Sequence, residues 1–92
     1  MKKMWLIAIC DDSRRECFKV EELLENYCME KRIAMEAEIF YDGSQLYEKM
    51  EEGRHYDLIF LDILMYGMDG IEVARKIRRG LKNEEVQIVY MS

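Results

Sequence analysis

Proline is absent from these 92 residues, and three further scarcities narrow what the chain can be. No apolar run approaches the roughly 20 residues needed to cross a bilayer as a helix, so a membrane-spanning role is not expected. Cysteine is sparse and odd in number. Cys10, Cys17 and Cys28 fall inside apolar patterns without metal-ligand spacing, which argues against a disulfide framework or a zinc site and marks them as small reduced hydrophobes. Positive charge is also in deficit: 14 basic residues face 19 acidic ones for a net charge of −5, which gives no reason to expect nucleic-acid binding by these residues themselves. Half of the residues are hydrophobic, which excludes a disordered segment. Lys2 and Lys3 ahead of the apolar run Met4 to Cys10 have the look of a signal peptide, but the run is short and ends in Asp11 and Asp12 with no small-residue cleavage pattern. A cytoplasmic protein is expected. The length suits one small domain whose single core only just suffices, so stability should be modest.

The chain is organised around Leu58, Ile59, Phe60, Leu61 and Asp62, a strand-like apolar run that ends in a carboxylate. An earlier run, Trp5 to Cys10, is continuous in the manner of a parallel strand covered on both faces, and it too ends in acid, at Asp11 and Asp12. Ser13 with Glu16 three residues on predicts a capping box and a helix from about Arg14 to Glu30, burying Cys17, Val20, Leu24 and Tyr27, with Leu23 and Cys28 widening the stripe. Ile33 to Tyr41 reads as an edge strand, with Glu36 and Glu38 on one face and Ala37, Ile39 and Tyr41 on the other. Asp42 and Gly43 turn the chain, and Ser44 is the expected N-cap of a short helix over Gln45 to Glu51, with Leu46, Tyr47 and Met50 inward. Gly53 stops it, and Asp57 to Leu61 forms the third strand.

Asp69 is then placed to cap a helix that turns Ile71, Val73, Ala74 and Ile77 toward the sheet. Arg75, Lys76, Arg78 and Arg79 crowd its last turns, where the negative end of the helix dipole favours them, and the cluster reads as a solvated helix end. Gly80 ends that helix, and Val86 to Met91 is a fourth apolar strand followed by Ser92. The order βαβαβαβ predicts a parallel, doubly wound α/β sheet. A chain ending on a strand leaves an uncovered sheet edge, so a truncated domain is expected, or one that forms a homodimer or exchanges elements to cover it.

If the first and third strands are neighbours, Asp11, Asp12 and Asp62 meet at the carboxyl end of the sheet, where open α/β folds place their chemistry. Three carboxylates in one pocket repel one another unless a cation holds them, and magnesium suits hard oxygen ligands together with a phosphate oxygen. Ser92 at the tip of the fourth strand would add a hydroxyl. That set fits phosphoryl transfer to Asp62.

These residues resemble the receiver domain of two-component response regulators. The resemblance runs from Ile7-Ala8-Ile9-Cys10-Asp11-Asp12 through Asp57 to Asp62 and Gly67-Met68-Asp69-Gly70 to Val86–Ser92. It implies a flavodoxin-like, CheY-like fold, here with four of five strands and three of five helices. By the same resemblance Asp62 is the phosphoacceptor, Asp12 a direct magnesium ligand, Asp11 a ligand or the holder of a metal-bound water, the backbone carbonyl of Leu64 a further ligand, and Ser92 the switch hydroxyl. A sensor histidine kinase is the implied partner. The wording around Phe60–Ile63 and Gly67–Ala74 is most similar to receivers joined to LytTR-type output domains, so DNA would be met only through an output domain outside these residues. Two departures stand out. Tyr66 occupies a place where the family often has proline, so the loop after Asp62 should follow a different path, and the lysine and aromatic switch residue of the family are not among these 92 residues.

Two other functions compete with a phosphoaccepting signalling module that is not itself an enzyme. A magnesium phosphatase working through an aspartyl-phosphate would want a second acid two residues after its nucleophile, where this chain has Leu64. A non-switching interaction scaffold would have no need of all three acids.

Overall fold

The computed structural model describes residues 4–92, so Lys2 and Lys3 lie outside the described residues. Its elements are β1 (Trp5–Cys10), α1 (Arg14–Lys31), β2 (Met35–Phe40), α2 (Gly43–Glu51), β3 (Leu58–Asp62), α3 (Gly70–Arg75), a π-helical turn (Lys76–Gly80) and β4 (Gln87–Met91). All strand pairs are parallel, in the order β2-β1-β3-β4. This is the expected doubly wound α/β sheet, with β2 on one edge.

Helices flank both faces of the central strands, while β4 keeps Gln87, Val89 and Tyr90 exposed. On one side α1 packs Cys17, Val20 and Leu24 against Ile7, Ile9, Ala37, Ile39 and Phe60. On the other, Leu46 and Met50 of α2 and Val73 and Ala74 of α3, with Ile77 of the π turn, enclose Ala8, Cys10, Ile59 and Leu61. Covered on both faces, β1 buries Ile7 to Cys10 in unbroken succession. Burial of the two cysteine thiols pushes Cys10 up to about 12 and Cys17 up to about 11.

The local signals hold with four corrections. Ser44 is not the cap of α2: Asp42 is, its Oδ1 accepting from Gln45 N at 2.9 Å and from the Ser44 hydroxyl at 2.8 Å. The two donors hold the Asp42 carboxyl below its ordinary range. A carboxylate outcompetes a hydroxyl for donors at a helix start, so the helix begins earlier, at Gly43. Tyr27 and Leu23 are exposed rather than buried, at 56% and 68%. At 100° per residue they fall about 80° and 120° to one side of the line through Cys17, Leu24 and Cys28, off the strip that faces β1 and β2. Ile71 also stays exposed, because the first turn of α3 meets the sheet through Gly70 instead. The last turn before Gly80 widens to a π turn, with Leu81 N donating to Lys76 O at 3.2 Å.

Candidate phosphoacceptor and metal site

Register decides the site. Cys10 of β1 stands beside Leu61 of β3, so the next residues on the two strands, Asp11 and Asp62, emerge side by side. Asp62 is in turn paired with Met91 of β4, which puts Ser92 one step beyond it. The carboxylate oxygens of Asp11, Asp12 and Asp62 lie within 4.8 Å of one another. They open into a cleft of about 270 Å³ that is also lined by Ser13, Glu16, Val20, Leu64, Met91 and Ser92. All five residues singled out from the sequence, Asp11, Asp12, Asp62, Leu64 and Ser92, therefore share one cleft at the carboxyl end of the sheet.

Each carboxylate is aimed by a backbone donor. Asp11 is buried at 6% exposure and its Oδ1 accepts from Ser13 N at 2.9 Å. Ser13 still caps α1 through its hydroxyl, which accepts from Glu16 N at 3.3 Å, but its own N–H goes to Asp11. The reciprocal half of the expected capping box is thus replaced by a bond that orients an acid of the site. Asp62 Oδ1 accepts from Leu64 N at 3.3 Å, and Asp12 Oδ2 accepts from Tyr66 N at 3.1 Å. Desolvation raises the Asp11 carboxyl above the ordinary value; the Ser13 N–H opposes this, and the charges of Asp62 and Asp12 add to it.

The loop that carries Leu64 and Tyr66 is closed by Gly70, whose N–H donates to Ile63 O at 3.0 Å. A β-carbon on Gly70 would sit 2.2 Å from the carbonyl oxygen of Asp62, so only glycine lets α3 start against the strand tip. Asp69 caps α3 as expected, accepting from Glu72 N at 2.9 Å. Sequence reasoning missed the backbone donors of Ser13, Leu64 and Tyr66, which no residue type announces. It also missed the reason for Gly70, although the glycine itself stood in the motif.

Three hard oxygen donors converging beside an open cleft are a donor set for a small divalent cation, with room for water or an anion oxygen to complete the shell. Uncompensated, the same three charges repel one another.

A parallel α/β module with acids at the tips of two adjacent central strands and a hydroxyl beyond a third defines the class of protein: a CheY-like α/β module with an acidic pocket at its strand tips. Residues 7–92 match the family model described as response regulator receiver domain, and the chain belongs to that family, the receivers of two-component systems. It is similar to the transcriptional regulatory protein ResD of Bacillus subtilis, with 41% identity over 73 residues that make up 78% of this chain and 27% of ResD. Among solved structures it resembles the N-terminal domain of a response regulator/sensory box/GGDEF three-domain protein from Carboxydothermus hydrogenoformans, at 30% identity and a TM-score of 0.76, covering 92% of this chain and 62% of that one. A CheY-like receiver domain protein from Methanospirillum hungatei shares the fold at a TM-score of 0.75 and 24% identity, covering 97% of this chain and 64% of that one. The chain thus spans about a quarter of ResD's length.

Proposed function

We propose that this receiver accepts a phosphoryl group on Asp62 from the phosphohistidine of a sensor kinase, in a magnesium-dependent reaction. The observation that carries the reading is the meeting of Asp11, Asp12 and Asp62 within 4.8 Å beside Ser92 in one cleft. An Asp62 carboxylate oxygen attacks phosphorus; the new P–O bond forms as the P–N bond breaks, and the imidazole leaves with the electron pair. Asp12 and Asp62 would hold the magnesium ion directly, Asp11 directly or through water, with the Leu64 carbonyl as a further ligand. Bound there, the ion supplies positive charge against the phosphoryl oxygens and the three acids. Ser92 would turn its hydroxyl to a phosphoryl oxygen.

In this reading the chain is a substrate that assists its own modification, not an enzyme with turnover. ResD is a transcriptional regulatory protein, which supports transcription as the output of the whole protein and DNA as a partner met through a separate output domain. Among the described residues no helix is long and apolar enough to cross a membrane, and the three cysteines are free, which accords with a cytoplasmic setting.

The test is incubation with magnesium and acetyl phosphate, followed by intact mass. One phosphoryl adduct is expected, lost in Asp62→Asn and on chelation. Steady turnover of a phosphate ester would favour the phosphatase, and the absence of any adduct would favour the scaffold.

A further inference from the structure

Asp12 is the outermost of the three acids and is exposed, whereas Asp11 is buried and Asp62 half-buried. Among the described residues the only hydrogen-bond donor to its carboxylate is the backbone N–H of Tyr66, at 3.1 Å and 54 residues away in the chain. The Tyr66 ring takes no part: it is 93% exposed. Without that donor, repulsion from Asp11 and Asp62 would swing the Asp12 side chain toward solvent, because nothing else among the described residues holds it. With the donor in place, its ligand oxygen stays within 4.8 Å of the other two. The loop that presents the N–H is itself fixed on both sides. Leu64 N donates to Asp62, the Met65 sulfur receives the Cys10 thiol at 3.9 Å, and Gly67 turns the chain immediately after Tyr66 with φ of +75°.

We propose that the Tyr66 backbone N–H is a positioning group for the metal site: it pre-sets Asp12 for the cation and ties the β3–α3 loop to the tip of β1. The inference rests on the metal-binding reading of the three acids. It has a consequence for substitutions in this chain: any residue but proline at position 66 keeps the donor to Asp12, because only proline lacks the N–H.

The experiment titrates the wild-type chain and two variants with Mn2+, read as loss of the free-ion signal by electron paramagnetic resonance. Tyr66→Ala keeps the donor and removes the ring; Tyr66→Pro removes the donor. Wild type and Tyr66→Ala should bind alike, and Tyr66→Pro should bind about threefold to tenfold more weakly, the loss of one modest hydrogen bond. In an Asp12→Ala background the proline should cost nothing further. Equal affinity in all three chains would overturn the positioning role while leaving the metal site standing. Absence of Mn2+ binding by wild type would overturn the metal reading itself. Should Tyr66→Pro not fold, the Tyr66 amide resonance in the wild-type chain decides: it should move on Asp12→Ala, and an unmoved resonance refutes the contact.

Discussion

Replacing Asp11 by asparagine should make the metal-free protein more stable and weaken its response to magnesium. Asp11 is buried beside two other carboxylates, yet its Oδ1 takes a hydrogen bond from Ser13 N that an asparagine oxygen can equally accept. The substitution therefore removes charge while keeping shape and cap. Two unit charges 4.8 Å apart repel by about 3.5 kcal/mol at an effective dielectric of 20 and about 0.9 kcal/mol in water. Because Asp12 is exposed and Asp62 half-buried, values near the watery limit apply, and relief of both pairs should total about 1 to 2 kcal/mol. For a domain of this size each kcal/mol moves the melting midpoint by about 4 to 8 °C, so a rise of at least about 4 °C is expected at pH 7 without metal.

The pH dependence has a definite sign. A carboxyl raised by folding keeps its proton where the unfolded chain has already lost it, so wild-type stability falls as pH climbs from the ordinary 3.8 through the raised folded value. That loss should be smaller in Asp11→Asn. Magnesium at ten times its dissociation constant should restore about 1.4 kcal/mol to the wild type and less to the variant. Calorimetric melting with and without magnesium measures all of this. A metal-free Asp11→Asn protein that melts lower than wild type, or one that keeps the full magnesium shift, would refute the reasoning.

Gly70→Ala should destabilise by about 1 to 3 kcal/mol through overlap with the Asp62 carbonyl, seen as a lower melting midpoint, and should slow adduct formation at Asp62. Asp42→Ala should cost about 1 kcal/mol in denaturant unfolding, while Ser44→Ala should cost clearly less, since the carboxylate and not the hydroxyl caps α2. Cys10 and Cys17 should resist a thiol reagent at pH 8 until the chain is unfolded. Their raised values also mean that stability is lost as pH rises above the ordinary thiol value of 9.0, because the unfolded chain ionises first, and alkaline melting curves should show it.

The four strands, the helices between them and the acids at two strand ends were legible along the chain, because a run of apolar residues and a period of 3.6 are local properties that the backbone carries into any fold. The same holds for Asp69 as a cap and for Cys17, Val20, Leu24 and Cys28 of the expected stripe, of which the two cysteines are buried and Val20 and Leu24 half-buried. Which strands lie side by side is not local. Placing β1 beside β3, and Cys10 level with Leu61, is what turns acids some fifty residues apart into one pocket, and only the packed sheet decides that. The backbone donors of Ser13, Leu64 and Tyr66 are equally silent in the sequence, since every residue but proline carries an N–H and only tertiary structure says where it points. Exposure of Leu23 and Tyr27 belongs to the same class: periodicity gives a helix its apolar side, but the width of that side which finds a partner depends on where the neighbouring strands stop.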